Sequence, residues 1–135
     1  MSVNGIPSPV DIAVSGLRAH SMRMRVLAGN IANAHTSRTD SGEPYRRQEV
    51  VLSTSSDGAG LVTIDGIESD MTTDFKRVRQ PGSPDADEEG YVKMPNVQVP
   101  VEMMQLMAAS RAYQASAATL KRYQEMMDVT MELLR

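Results

Sequence analysis

Acidic side chains are concentrated in the stretch PGSPDADEEGYVKMPNVQVP, which covers residues 81–100. Within it, Asp85, Asp87 and Glu89 alternate and are followed directly by Gly90. This is close to the opening of an EF-hand calcium loop, in which alternating carboxylates supply oxygen ligands and a glycine at the sixth place makes the sharp turn. The stretch could therefore be either a metal site or an acidic connector.

The rest of the stretch does not follow the calcium template. The template needs a bidentate glutamate at its twelfth position, where this chain has Asn96. Helices should flank the loop, but Pro81, Pro84 and Pro95 interrupt the surrounding segments. The sequence favours a solvated turn between two short extended segments, and a small calcium-responsive module remains as the alternative. We predict no metal site and no cofactor.

No catalytic arrangement is recognisable elsewhere in the chain. Cysteine is absent, which excludes disulfides, thiolate metal sites and cysteine nucleophiles. The two histidines, His20 and His35, do not have the spacing of a metalloprotease motif, and no phosphate-binding loop or nucleophile elbow is present. We therefore predict that the protein is not an enzyme.

Charge and hydropathy exclude further classes of function. The net charge is -3, so no basic surface of the kind that binds nucleic acid is expected. We interpret Arg18, Arg23 and Arg25 as a solvated or inter-subunit face. No stretch approaches the roughly 20 apolar residues of a membrane-spanning helix, and the first ten residues do not resemble a secretory signal. The 135 residues include 11 methionines and no tryptophan, a composition that suits adaptable contact surfaces.

A helix is predicted over residues 9–34. Ser8 is a suitable N-cap and Pro9 a suitable first helical residue. The amides of Asn30 and Asn33, near its end, could form hydrogen bonds across helices. A coiled-coil-like seam with alternating spacings of four and three residues consists of Val10, Val14, Leu17, Ser21, Met24, Ala28 and Ile31.

A second and longer helix is predicted over residues 101–135, which contain neither glycine nor proline. Such a helix needs partners because an apolar stripe is not stable alone in water. The N-terminal helix is the obvious partner, and several turns remain for other chains. The stripe consists of Val99, Met103, Leu106, Ser110, Tyr113, Ala117, Leu120, Gln124, Met127, Met131 and Leu134.

Frequent glycines and prolines separate short strand-like runs between the two helices. We predict strands over 46–54, 60–70, 76–80 and 91–94, with the turn-rich sequence SDGAG joining the first two. The predicted fold is mainly α with a small β-rich insert. Its domains are a discontinuous, coiled-coil-like helical domain, residues 1–34 and 100–135, and a middle segment, residues 35–99, packed outside it.

Two long stretches resemble a known family. SGLRAHSMRMRVLAGNIANAHTSRTDSGEPYRRQEVV, residues 15–51, and PGSPDADEEGYVKMPNVQVPVEMMQLMAASRAYQAS, residues 81–116, resemble the proximal rod proteins of the bacterial flagellum, particularly the FlgC group. The resemblance spans nearly the whole chain. The motif residues that carry it are Asn30, Asn33, Pro81, Gly82, Asp85, Asp87, Gly90, Tyr91, Pro95, Asn96, Arg111 and Tyr113.

The resemblance implies a structural subunit of the rod, the drive shaft that crosses the periplasm. Its terminal helices would line the export conduit, and its partners would be other copies, other rod subunits and the flagellar type III export apparatus, which delivers it without a cleaved signal. A helical adaptor or export chaperone remains the alternative. The predicted subunit-interface residues are Val14, Leu17, Met24, Ile31, Met103, Leu106, Tyr113, Ala117, Leu120, Met127, Met131 and Leu134.

Overall fold

Two terminal helices enclose a small β-rich middle segment, as predicted. The computed structural model describes residues 7–54 and 60–134. Most of the predicted turn SDGAG lies outside the described residues. The elements in chain order are α1 (Pro9–Ala32), β1 (Gln48–Thr54), β2 (Val62–Ser69), β3 (Lys76–Arg79), β4 (Tyr91–Met94) and α2 (Val99–Leu133).

The start of α1 follows the local capping rules that its sequence indicates. The Ser8 hydroxyl accepts a hydrogen bond from the Asp11 N–H at 3.2 Å, and the Asp11 carboxylate accepts one from the Ser8 N–H at 3.0 Å. The hydrogen bonds from Ser8 lower the pKa of Asp11. Pro9 occupies the first turn, where its missing N–H has no cost. The helix ends at Ala32, two residues before the predicted boundary.

The two helices pack against each other in antiparallel directions. Asn30, near the end of α1, contacts Glu102 at the start of α2, while Gly16 lies opposite Ser116. A methyl group on Gly16 would lie 3.5 Å from the Ser116 hydroxyl oxygen, which is an ordinary van der Waals distance, so the two helices lie side by side here. The pairing of the terminal helices is therefore confirmed.

The buried face between the helices is displaced from the predicted stripes. The buried apolar residues of the two helices are Ala19, Val26 and Leu27 on α1 and Ala109 on α2. None of these belongs to the regular four–three series read from the sequence. The series predicts the helices correctly, but the most deeply buried apolar positions lie beside it.

The helices differ in length, and this leaves one end of α2 without a partner on α1. With 24 residues, α1 is about 36 Å long, whereas the 35 residues of α2 extend for about 52 Å. Since Gly16 lies opposite Ser116, the first residue of α1 lies near residue 123 of α2. All of residues 124–134, which we call the distal segment, are exposed.

The middle segment forms two separate antiparallel hairpins. In the first, β1 pairs with β2 from Gln48 opposite Ser69 to Thr54 opposite Val62, with a bulge after Val51. This hairpin lies on α1, where the Val62 N–H donates to the Ser15 hydroxyl at 3.2 Å. In the second, β3 pairs with β4 over four residues each. Within the described part of the chain, no helix is long and apolar enough to cross a membrane.

Candidate functional site

A buried polar cluster joins both helices to the first strand. Asn30 is fully buried, and its side-chain amide donates to the Gln48 carbonyl at 2.8 Å and to the Glu102 carboxylate at 2.9 Å. Its side-chain carbonyl accepts from the Gln48 N–H and from the Tyr45 hydroxyl, both at 2.9 Å. Every hydrogen-bonding position of this amide is therefore used. The prediction that Asn30 bonds across helices is confirmed.

Glu102 supplies the charge of this cluster. The side chain is 1% exposed, and its second oxygen accepts from the Arg47 guanidinium at 2.7 Å. It also lies in the first turn of α2, where the helix dipole favours an anion. A buried carboxylate with these partners is stabilised, but one without them would be strongly destabilising. Glu102 therefore depends on Arg47 and Asn30.

The charge of Glu102 also affects the ionisation of its neighbours. Burial of Tyr45, together with the nearby carboxylate of Glu102, raises the pKa of the phenol. Burial of Arg47 acts to lower the pKa of the guanidinium, but the hydrogen bonds and charges of Glu102 and Glu49 together outweigh it, so that this pKa is raised. The guanidinium and the phenol therefore keep their protons in neutral solution, and both remain hydrogen-bond donors.

Asn96 extends the cluster towards the second hairpin. Its side-chain carbonyl accepts from the Arg47 N–H at 2.8 Å, and its amide donates to the carbonyls of Asp70 and Thr73, both at 3.2 Å. Asn33, in contrast, bonds locally to the Gly29 carbonyl at 2.9 Å and does not reach the other helix. Asn96 thus holds the segment that enters α2 against the start of β1.

The acidic stretch closes the β3–β4 hairpin. One oxygen of Asp87 accepts from the Tyr91 N–H at 2.7 Å and from the Glu89 N–H at 3.1 Å, and the other accepts from Arg77 at 2.7 Å. The Tyr91 N–H, followed by Arg77, lowers the pKa of Asp87 below its usual 3.8. Gly90 has a φ of +80°, which other residues rarely adopt. These contacts confirm the predicted turn between two extended segments.

Asp85 points away from this turn. Its carboxylate accepts from the Ser37 hydroxyl at 2.8 Å and lies 3.6 Å from the Arg38 guanidinium. Asp85 and Asp87 are therefore engaged with different parts of the chain. Among the described residues, no group of three or more acidic or histidine side chains is placed to hold a metal ion.

We predict that calcium binds to the purified protein no more tightly than about 1 mM. The reason is that Asn96 replaces the closing glutamate, while Asp87 already bonds two backbone N–H groups and Arg77. Isothermal titration with calcium chloride, with Asp87→Asn as the comparison, measures this directly. A micromolar dissociation constant that Asp87→Asn abolishes would contradict the hairpin-connector interpretation.

The predicted interface residues fall into two groups in the structure. Exposure rises towards the end of α2, where the exposed fraction is 44% for Met127, 67% for Met131 and 80% for Leu134. Met103 and Tyr113 are also exposed. The half-buried members are Val14, Leu17, Met24, Ile31, Leu106, Ala117 and Leu120. Much of the predicted stripe is therefore available to another molecule.

The remaining motif residues are placed at the surface or in turns. Pro81 and Gly82 are exposed in the hairpin loop, and Arg111 is exposed on α2. A side chain on Gly90 would come 3.1 Å from Pro81, so the two residues determine the close packing of that loop. Pro95 is fully buried beside Asn96.

Sequence reasoning missed three members of the buried cluster, Tyr45, Arg47 and Glu102. The only local signal is the position of Glu102 in the first turn of a helix, which by itself is common at exposed sites. Their partners lie far away in the chain, since Arg47 and Glu102 are 55 residues apart. A single sequence contains no periodicity that relates such positions.

Comparisons with known proteins agree with this architecture. Residues 88–133 match the family described as flagellar basal body rod FlgEFG protein C-terminal. The flagellar basal-body rod protein FlgC of Escherichia coli O6:H1 is 45% identical over 127 residues, which cover 91% of this chain and 93% of that protein. The protein of the same name from Salmonella typhimurium is 41% identical over 126 residues, with the same coverage. The protein of the same name from Borreliella burgdorferi is 32% identical over 151 aligned positions, which cover 97% of this chain and 99% of that protein.

Proposed function

Because this chain belongs to the FlgC family of flagellar basal-body rod proteins, we propose that it is a proximal rod subunit whose exposed helical stripe joins it to neighbouring subunits. The family establishes a structural role in the rod and not an enzymatic one.

The observation that carries this proposal is the exposed apolar surface of the distal segment. Met126, Met127, Val129, Met131, Leu133 and Leu134 are all exposed there. Burial of such side chains in an interface is favourable by roughly 25 cal/mol of free energy for every Å² of apolar surface removed from water. Contiguous apolar surface on a small protein is typical of an interaction site. Methionine suits a site that meets non-identical neighbours because its flexible thioether adapts to several surfaces.

The buried cluster supports a role in transmitting torque. A subunit in a rotating shaft has to keep its two helices and its outer segment in a constant arrangement under load. The hydrogen bond between Asn30 and Glu102 joins α1 to α2. Asn30 also joins α1 to β1 through the backbone of Gln48, and Arg47, directly before β1, binds Glu102 of α2. We infer that load applied to the hairpins passes to the helices through these contacts.

The location and delivery of the subunit are also part of the proposal. We place it in the rod within the periplasmic space, with the terminal helices forming the inner tube and the hairpins outside. We further propose that the type III export apparatus delivers it without cleavage of a signal. The support for this is the family, whose relatives are basal-body rod proteins.

Met127→Asp is expected to abolish swimming while the protein is still produced. Met127 lies in the distal segment and is 44% exposed, so the substitution should not disturb the packing of α2 on α1. In an assembled interface, however, it would bury an unpaired carboxylate, which costs several kcal/mol. The measurement is swimming of cells in which the variant is the only copy, together with the subunit content of isolated basal bodies.

A matched control is available on the same helix. Gln114→Asp introduces the same charge change at an exposed position about 140° around the helix from Met127, on the side that carries Lys121 and Glu125. Cells with Gln114→Asp should swim normally. If the Met127→Asp cells also swim normally and their basal bodies retain the subunit, the stripe is not an assembly surface.

A further inference from the structure

An open apolar groove runs along α1 beside the first hairpin. It has a volume of about 460 Å³, and its walls include Val14, Leu17 and Ile64. Ser21 and Met22 of α1 and Tyr113 of α2 also line it. Two arginines, Arg18 and Arg25, complete the lining. Both arginines are exposed, so the groove is an apolar surface with a basic rim.

The part of α1 that lines the groove is rich in basic residues. Residues 14–25 contain three arginines and no acidic residue. Among the residues that the structure describes, no ion pair includes Arg18, Arg23 or Arg25. An occupant of this groove should therefore combine an apolar face with acidic side chains.

The distal segment of α2 has this chemistry. Residues 124–134 contain three acidic residues, Glu125, Asp128 and Glu132, and no basic residue. Met127, Met131 and Leu134 lie on a neighbouring face of the same helix and are exposed. The distal segment is thus acidic and amphipathic, whereas the groove is basic and apolar.

The spacing of the basic residues of the groove matches that of the acidic residues of the distal segment. Arg18 and Arg25 are seven residues apart on α1, and Glu125 and Glu132 are seven residues apart on α2. Seven residues of α-helix correspond to about 10.5 Å, so two helices lying side by side could pair both arginines with both glutamates. The distal segment and the helical part of the groove have similar lengths, about 15 Å and 16.5 Å from first to last residue.

The segment cannot occupy the groove of its own chain. Tyr113 in the groove and Glu125 in the distal segment belong to one continuous helix and are separated along it by about 18 Å. We propose that the distal segment of one copy binds in the groove of a second copy, in a head-to-tail contact. Because the two surfaces differ, each copy retains one free groove and one free segment, and the contact propagates into an open assembly.

This proposal rests on the proposed function and names its partner as a second copy of the chain. Disulfide trapping with purified full-length protein tests it, since the natural chain has no cysteine. Copies with Ser21→Cys in the groove are mixed with copies carrying Met131→Cys in the distal segment. The expected initial rate of cross-linking is at least several-fold higher than in a matched mixture of Ser21→Cys with Gln114→Cys.

Charge reversal then tests the specificity of the contact. Adding Arg18→Glu and Arg25→Glu to the Ser21→Cys copy should reduce the cross-linking rate to that of the control mixture. Adding Glu125→Arg and Glu132→Arg to the Met131→Cys copy should do the same. Mixing the two reversed copies should restore the rate, and this rescue cannot result from misfolding of either copy.

Cross-linking no faster than in the control, or failure of the reversed copies to rescue each other, would overturn the proposal. These results are separate from the test of the proposed function. If Met127→Asp abolishes rod assembly while trapping fails, the distal segment is still an assembly surface. It then binds another rod protein, and the second-copy proposal is rejected.

Discussion

Glu102→Ala is expected to lower the free energy of unfolding by about 3–5 kcal/mol. The substitution removes a carboxylate that is 1% exposed and leaves the Arg47 guanidinium and the Asn30 amide without their partner in the protein interior. Removal of one member of a buried pair is costly because the other members keep their desolvation penalty. Urea unfolding followed by circular dichroism measures the loss.

Two further variants show whether the loss comes from the cluster. Glu125→Ala removes an exposed glutamate from the same helix and should change stability by less than about 0.5 kcal/mol. Glu102→Gln keeps the size of the side chain but turns an amide N–H group towards the donors of Arg47 or Asn30, and should cost about 1–3 kcal/mol. If both substitutions at Glu102 cost less than 1 kcal/mol, the cluster does not hold the helices together.

Amide hydrogen exchange in the distal segment is expected to slow by at least about a hundredfold when the subunit enters the rod. In the free subunit, residues 124–134 are all exposed and extend beyond α1, and a helix without tertiary packing is only marginally stable. In the rod, we expect a neighbouring subunit to cover their apolar side chains. Mass spectrometry of free subunits and isolated basal bodies provides the comparison.

The same experiment tests the alternative of a chaperone or adaptor, which would hold its client with a helix already ordered in isolation. The chaperone or adaptor alternative predicts slow amide exchange throughout α2 in a verified monomer. We expect slow exchange only near Glu102, where Asn30 and Arg47 are bound, and faster exchange at the start of α1 than at its end. Strong protection of residues 124–134 in the free monomer would contradict assembly-coupled ordering.

Local features of the fold were predictable because their causes are local. The Ser8–Asp11 capping box and Pro9 determine where α1 begins, and the absence of glycine and proline after residue 100 permits one long helix. The β3–β4 hairpin is equally local, since Asp87 bonds residues within four positions and Gly90 supplies the positive φ. The acidic composition there suggested calcium, but the same carboxylates stabilise a turn.

The choice of helix faces was not predictable in the same way. A spacing of four and three residues predicts an amphipathic helix but does not show which neighbouring row of side chains meets the partner. Ala19 and Ala109 are buried, while Met103 and Met127 are exposed. Val26 and Leu27 are also buried, although they lie outside the predicted series. This choice depends on the positions of both helices at once.

The sequence by itself determined the order of the elements and their boundaries to within about two residues, the capped start of α1, the turn in the acidic stretch and the family. Only the tertiary structure showed that Asn30, Arg47 and Glu102 form one buried cluster. Asn30 and Glu102 are 72 residues apart and lie on different helices, so their contact depends on the register in which those helices pack. No local preference specifies that register, because it minimises the free energy of the whole chain, in which each buried polar group must find its partner.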